Sequence, residues 1–433
     1  MKLLKLARQS LFACSLFVAG SARAQVNPLD PPARNPLDNP LDPAPTPAPG
    51  PQTPLIPAGP RPGEVAPAAA QLPAFVKPGM RWYYHEGESI VNNVPWHLIP
   101  NAAGGWKGQA NNNQGQVWYL AIDLLGASPQ FIAANARKYV ISDVARGTTT
   151  AAGGKALTGD ANTFDKYWIS PARLAQIEAQ RANGMTINRV RFVVGDKTYN
   201  ALSMMEHNER TYVSQIYDLE SGILLSSSSA DRNAPVLVPN GQGGIMPAQG
   251  ATMITHSRFM GMRELKIPWA AAPLPAWVAK GQTIQYTGSY GNVGPMGQNH
   301  LALNRACKIT RVTEGVAIVD SVTRRDQGGL PANDALDTQA FGSAQVNAWF
   351  ISPRALQALR PNTVIDDDRV THFRTTFVGI QGNFAIFLEE GPVDRAEAAY
   401  DMQSGLLASV RARQQLDPSV GAFVSEIRVV APR

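Results

Sequence analysis

The feature that most constrains the fold of this chain is an internal duplication. Three short segments recur in the same order in the two halves: Leu72–Val76 and Leu274–Val278, Tyr167–Pro171 and Trp349–Pro353, and the Tyr-Asp-x-x-Ser-Gly segments that begin at Tyr217 and Tyr400. The offset between copies changes from 202 to 182 and then 183 residues, which places insertions and deletions in loops. The sequence therefore predicts two diverged copies of one domain, residues 72–272 and 273–433.

Each copy combines many strand-like runs with one short helix-like run. A Ser-Pro pair precedes the runs Ala172–Gln180 and Arg354–Leu359, and such a pair is typical of a helix start because the Ser hydroxyl satisfies a free backbone N–H and Pro has none. The Tyr-Asp-x-x-Ser-Gly segment lies between two strand-like runs, where its Gly supplies the positive φ of a tight hairpin. We predict a mainly β (β-rich α+β) chain of two antiparallel-sheet or partial-barrel domains, each with one short Ser-Pro-capped helix.

The N-terminus has the pattern of a secretory signal. Lys2, Lys5 and Arg8 precede the apolar stretch Leu11–Ala19, and an Ala-x-Ala site ends at Ala24. That stretch is shorter than the roughly 20 residues that cross a bilayer, and no later apolar run reaches about 18, so we predict no transmembrane span. Residues 1–24 are predicted to be a signal peptide.

Residues 25–71 form a Pro/Ala-rich segment in which Asn-Pro-Leu-Asp occurs three times. Pro removes a backbone donor and fixes φ, and the segment has too little apolar surface to offset the entropy of ordering. We predict a disordered linker. The protein is expected to be exported, as a periplasmic, cell-surface or extracellular protein. Cys14 lies inside the apolar stretch of the signal, so we expect no lipid anchor.

The basic character of the whole chain does not survive removal of the signal. The signal holds four of the 39 basic residues and no acidic one, so 35 basic residues remain against 33 acidic ones, a net charge of +2. No run of five or more Lys or Arg residues occurs. We therefore predict no nucleic-acid partner. The single remaining cysteine, Cys307, lies on a predicted strand, where a structural role is expected.

Catalytic and metal-binding motifs are not evident in the sequence. The histidines are scattered (His85, His97, His207, His256, His300 and His372), and a zinc site needs three or four convergent ligands. The run Asp366–Asp368 is interpreted as a solvated loop, and Glu206 and Glu389 as equivalent strand-end charges facing water. We predict no cofactor and no metal.

One segment stands out as a candidate binding site. We predict that copy one carries a long insert, roughly Ile90–Arg137, that is rich in aromatic and amide side chains. Flat rings with neighbouring amides suit sugars and other amphipathic ligands. The residues predicted to bind the ligand are Trp96, Trp106, Asn111, Asn112, Asn113, Trp118 and Tyr119. The alternative is that these rings pack onto their own domain.

These features favour an exported, non-enzymatic binding protein that takes a protein, glycan or lipid-like partner. One alternative is an exported hydrolase with a site built from dispersed groups, among them Glu206, Glu389, Asp366 and the histidines. Another is a structural or assembly component of the cell surface, which would pair through open strand edges.

Overall fold

A computed structural model of the chain describes residues 72–92, 114–143, 148–180, 184–232, 237–239, 245–247, 251–295, 297–326, 333–416 and 421–430. The predicted signal peptide and linker lie outside these residues. No helix among them is long and apolar enough to cross a membrane.

The first domain is built on an eleven-stranded antiparallel sheet. Its strands in chain order are β1 (Met80–Asn92), β2 (Gln114–Ser128), β3 (Phe131–Asp143), β4 (Thr148–Gly159), β5 (Thr163–Phe164), β6 (Trp168–Ile169), β7 (Met185–Val194), β8 (Lys197–His207), β9 (Thr211–Asp218), β10 (Leu224–Arg232) and β13 (Ala251–Glu264). A separate small hairpin consists of β11 (Leu237–Pro239) and β12 (Ile245–Pro247). The sheet order is β6-β5-β4-β3-β2-β1-β13-β10-β9-β8-β7, so the last strand of the domain pairs with the first.

The second domain repeats this arrangement with a ten-stranded antiparallel sheet. Its strands are β14 (Thr283–Gly294), β15 (Gly297–Thr313), β16 (Val316–Arg325), β17 (Asn333–Gly342), β18 (Thr363–Asp368), β19 (Phe373–Gln381), β20 (Phe384–Glu390), β21 (Asp394–Asp401), β22 (Leu407–Gln415) and β23 (Ala422–Val429). The order is β17-β16-β15-β14-β23-β22-β21-β20-β19-β18, and β23 pairs with β14 as β13 pairs with β1. The predicted mainly β fold of two tandem antiparallel domains is confirmed.

One short helix in each domain follows the Ser-Pro pair. Helix α1 (Pro171–Gln180) begins where the Ser170 hydroxyl accepts the backbone N–H of Arg173 at 3.2 Å, the expected capping bond. Helix α2 (Pro353–Ala358) is shorter, and the Ser352 side chain makes no capping hydrogen bond, so Pro353 alone marks its start.

Each sheet curves around its own apolar core. Alternate residues of β1 point inward, and Trp82 and Tyr84 are fully buried among residues from both halves of the first sheet. In the second domain Phe341, Trp349 and Phe387 belong to one cluster that collects side chains from nearly every strand. The strands therefore wrap around a shared interior, as a partial barrel does.

The repeated segments meet each other in space, which explains why they recur together. In the second domain the Ile351 N–H donates to the Gly405 carbonyl, and the Leu407 N–H donates to the Trp349 carbonyl, both at 2.9 Å. The first domain has the same two bonds, from Ile169 to Gly222 at 3.0 Å and from Leu224 to the Tyr167 carbonyl at 2.9 Å. The helix-start segment is thus fastened to the hairpin at the same place in each copy.

The two sheets do not match strand for strand, because β5 and β6 of the first have no counterpart among the described strands of the second. The Tyr-Asp pair ends β9 in the first domain and β21 in the second, so β9 corresponds to β21 and the sheet order then pairs β7 with β19. Among the described residues, β18 has no counterpart in the first domain. This additional strand carries Asp366 and Asp368, which reach the other domain.

Candidate functional site

The predicted insert is wrong in its extent. Strand β2 and the first part of β3 lie within residues 90–137, and the excess over the second copy is residues 93–113, which join β1 to β2. Trp96, Trp106, Asn111, Asn112 and Asn113 lie outside the described residues. The predicted bounds were too wide because they included the aromatic residues Trp118 and Tyr119, which belong to β2.

Trp118 lies on the inner face of β2, near the end of the sheet from which residues 93–113 emerge. It is directly opposite Glu86 of β1 in the strand register, and its indole N–H donates to a Glu86 carboxylate oxygen at 3.1 Å. The Tyr167 hydroxyl donates to the other oxygen at 3.1 Å, and the Lys166 ammonium lies 2.9 Å from it. Glu86 is therefore a buried carboxylate held by three neighbours.

Lys138 completes this cluster, which we call the Glu86 cluster and define as Glu86, Trp118, Lys138, Lys166 and Tyr167. The Lys138 ammonium lies 3.6 Å from the centre of the Trp118 ring, a short cation–π distance. Burial lowers the pKa of Lys138, and nearby carboxylates only partly oppose this. Burial alone would raise the pKa of Glu86, but Lys166 and the hydrogen bonds of its neighbours hold it below its ordinary value.

The Glu86 cluster has the chemistry of a polar recognition site. It presents one half-buried aromatic ring, two ammonium groups and one ionised carboxylate at the end of an otherwise apolar interior. Such a mixture can orient a ligand through hydrogen bonds while the ring supplies apolar contact. Of the two predicted site residues that the structure describes, Trp118 belongs to this cluster and Tyr119 does not.

Tyr119 points to the opposite face of the sheet, because successive strand residues alternate. Its ring lies 5.9 Å from His85, which lies 5.6 Å from His256 on β13. Burial lowers the pKa of both imidazoles. The structure thus brings together two histidines that are 171 positions apart in the chain and separates the neighbours Trp118 and Tyr119.

The outer face of β1–β4 packs against edge strands β17 and β18 of the second domain. Arg81 of β1 is 2% exposed and bonds Asp123 of its own domain together with Asp366 and Asp368 of the other, at distances of 2.5 to 2.9 Å. Burial would lower the pKa of Arg81, but Asp123 and Asp366 hold it well above its ordinary value. Arg81 is therefore charged, and its ion pairs join the two domains at a buried contact.

Arg263 of β13 joins the same contact from its rim. Its guanidinium bonds Asp366 at 2.6 Å and the Tyr83 hydroxyl at 2.6 Å, and that hydroxyl donates to Asp368 at 2.9 Å. Burial would raise the pKa of Asp368, but Arg81 and Arg263 hold it below its usual range. The interpretation of Asp366–Asp368 as a solvated loop is wrong: the three residues end strand β18, and Asp366 and Asp368 bond the other domain.

A second set of contacts crosses the interface between β3 or β4 and β20 or β21. Arg137 bonds Glu389 at 3.0 Å, and the Ala151 backbone N–H donates to Asp394 at 2.9 Å. Burial raises the pKa of Glu389, which Arg137 only partly offsets. Glu389 is 4% exposed, so its interpretation as a water-facing charge is also wrong.

The groups named for a dispersed hydrolase site lie in several places, and His97 is outside the described residues. Asp366 and Glu389 lie at the interface, each paired with an arginine, and Glu206 lies on β8, four positions from β1 in the sheet order. His85 and His256 lie 5.6 Å apart on β1 and β13. Within the part of the chain that the structure describes, no three His, Cys, Asp or Glu side chains are grouped to hold a metal ion. Cys307 is fully buried, and burial raises the pKa of its thiol to about 12.

No family model matches the sequence, and no curated protein matches it. Among solved structures, the chain is similar to a protein of unknown function of the DUF3598 family from Nostoc punctiforme, with 10% identity over 82% of this chain and 96% of that one and a TM-score of 0.19. It is also similar to transferrin binding protein B from Haemophilus parasuis, with 7% identity over 82% and 78% of the two chains and a TM-score of 0.13. Similarities at these scores assign neither a family nor an activity.

Proposed function

We propose that this chain is an exported, non-enzymatic binding protein whose two β domains act as one unit, and that its ligand is a glycan bound at the Glu86 cluster. Export rests on the signal pattern of residues 1–24 and the Pro/Ala-rich segment that follows. The observation that carries the binding site is the half-buried Trp118 ring, which lies beside Lys138 and Glu86 where residues 93–113 emerge.

A glycan fits this combination better than a purely apolar ligand. Sugar hydroxyls accept from ammonium groups and donate to carboxylates, and the apolar face of a pyranose ring stacks on an aromatic ring. The adjoining segment adds Trp96 and Trp106 and the amides of Asn111, Asn112 and Asn113, which we propose as further contacts. A lipid-like or protein ligand would use the same ring but has less need of the two ammonium groups.

The test applies the mature chain to an array of bacterial and host glycans and, in parallel, to phosphatidylglycerol vesicles. Trp118→Ala removes the ring. Tyr199→Ala is the matched control, because Tyr199 is a half-buried strand aromatic with the Lys197 ammonium 4.6 Å from its centre, on β8 away from the cluster. Affinity for each retained glycan is then measured by titration calorimetry.

We expect at least one glycan class to be retained, with Trp118→Ala lowering its affinity by about tenfold or more and Tyr199→Ala leaving it within about twofold. If Trp118→Ala and Tyr199→Ala bind the glycan with equal affinity, the Glu86 cluster is not the binding site. Binding to vesicles alone would replace the glycan with a lipid ligand, and binding to neither would refute the proposal.

A further inference from the structure

The domain interface contains more acid than base. In the contacts of Arg81, Arg137 and Asp394, three guanidinium groups (Arg81, Arg137 and Arg263) face five carboxyl groups (Asp123, Asp366, Asp368, Glu389 and Asp394). The Arg81 contact and the Arg137 contact account for four of these carboxyl groups. Asp394 is the fifth, and among the described residues it forms no ion pair with a cation.

Asp394 is 6% exposed, and only one of its two carboxyl oxygens has a hydrogen-bond partner. One carboxyl oxygen accepts the Ala151 N–H of the other domain, and the other oxygen has no hydrogen-bond partner. Gln414 lies directly opposite Asp394 in the strand register, and its side-chain oxygen also has no partner, while its amide nitrogen donates to Thr150 at 3.3 Å. Two buried acceptors on cross-strand neighbours thus lack a donor, and each such atom costs about 1–3 kcal/mol.

We propose that Asp394 is protonated when the two domains are in contact, which we call the closed interface, and that it donates this proton toward the side-chain oxygen of Gln414. The two domains therefore hold together more tightly in acid than at neutral to alkaline pH. One proton satisfies both unpaired acceptors and leaves the bond from Ala151 in place. It also removes one negative charge from a contact that has two in excess.

The electrostatic surroundings of Asp394 agree with this geometry. Burial raises the pKa of its carboxyl to about 7, the Ala151 N–H lowers it, and Glu389 on β20 raises it. The charge that faces this region from β3 is Arg137, which is bound to Glu389. From β4 the groups are the uncharged Thr150 and the backbone of Ala151, and from β22 the uncharged Gln414.

The sign of the effect follows from linkage. A carboxyl whose pKa is higher in the closed state than in the open state binds its proton more tightly when closed, so closure is favoured at low pH and is weakened as pH rises through the closed-state value. With an open-state pKa of about 4, the opening constant of the interface rises roughly 100-fold between pH 5 and pH 8.

The experiment measures hydrogen exchange of the Ala151 amide in the full mature chain between pH 5 and pH 8, expressed as the protection factor. Asp394→Asn carries a permanent amide donor of the same shape as the protonated acid. Asp367→Asn is the matched control, because Asp367 is an exposed carboxyl on β18. Unfolding in urea over the same pH range gives a second, global readout.

In the wild type we expect protection of Ala151 to fall by roughly 100-fold from pH 5 to pH 8, in Asp394→Asn by less than about threefold, and in Asp367→Asn as in the wild type. His85 and His256, whose pKa values burial lowers, are further titratable groups of the first domain, so the difference between the wild-type and Asp394→Asn slopes is the diagnostic quantity. Parallel slopes in these two proteins, in both exchange and urea unfolding, would overturn the proposal. So would a wild-type protection factor that does not change with pH.

Discussion

The hairpin glycine of the repeated segment offers a quantitative test of how each domain is held together. Gly405 has φ of +71°, and a Cβ atom placed on it would lie 1.9 Å from the Ile351 carbonyl oxygen. Gly382, in the turn between β19 and β20, has φ of +57°, but a Cβ there would meet nothing within 4 Å. The substitutions Gly405→Ala and Gly382→Ala therefore both place an alanine at a positive φ, but only Gly405→Ala also brings its Cβ too close to a backbone carbonyl.

The backbone cost of an L-residue with positive φ is about 1–2 kcal/mol, and Gly382→Ala should lower the free energy of unfolding by about that amount. In Gly405→Ala the hairpin must also move away from Ile351. That movement weakens the bonds from Ile351 to Gly405 and from Leu407 to Trp349, each worth about 0.5–1.5 kcal/mol net. We expect a total loss of roughly 2–5 kcal/mol.

Urea unfolding followed by tryptophan fluorescence measures both losses, since Trp349 lies in the segment that would move. Equal losses for the two variants would refute the reasoning, because the contact with Ile351 would then contribute nothing. Gly222→Ala tests the same contact in the first domain, where a Cβ would lie 2.0 Å from the Ile169 carbonyl oxygen, and should match Gly405→Ala.

Two further predictions concern buried groups. Arg81→Met leaves the three carboxyl groups around it without their shared cation, and it should lower the free energy of unfolding, measured in urea, by about 3–5 kcal/mol. The control Lys77→Met breaks an exposed ion pair and should lower that free energy by less than about 1 kcal/mol. Equal losses would contradict the role given to Arg81. The thiol of Cys307 is buried and has a raised pKa, so it should resist iodoacetamide at pH 8 in the native chain and react once the chain is unfolded in urea. Rapid labelling of the native chain would show instead that the thiol is accessible.

The fold was predictable from the sequence where local chemistry repeats. The Ser-Pro helix starts and the Tyr-Asp-x-x-Ser-Gly hairpins depend on neighbouring residues, so both copies show them. Strand β4 was not predicted because its sequence, Thr148–Gly159, has too many small residues to show an alternating apolar pattern. Its place in the sheet depends on pairing with β3, which is a long-range contact.

Glycines inside a strand are a second difficulty for prediction. The spacing of Gly288, Gly291 and Gly294 after a strand-like run is typical of a turn, but β14 continues through all three. A Cβ at Gly288 would lie 1.8 Å from the Glu426 carbonyl oxygen of β23, and one at Gly291 would lie 1.5 Å from that of Asn299 on β15. These glycines let neighbouring strands approach closely, a requirement that only the paired structure reveals.

The candidate site was predictable only as far as composition allowed. An aromatic, amide-rich segment pointed to Trp118, but strand alternation separates it from Tyr119, and Glu86, Lys138 and Lys166 come from separate segments of the chain. Single charged residues on different strands carry no sequence signal until the register places them together. For the same reason the pairing of Trp118 with Glu86 could not be anticipated.

The interface shows how the two copies differ in role although they share a fold. Strand β18 exists in the second copy alone among the described residues, and it supplies the carboxylates that Arg81 and Arg263 of the first copy bind. A buried cation with three carboxylate partners is costly unless all are in place, so the contact favours one arrangement of the domains over others. A duplicated pair linked only by a flexible joint would leave Arg81 exposed on the outer face of β1. The burial of Arg81 therefore argues that the second domain has diverged to fit the first, and that the two domains form a single body.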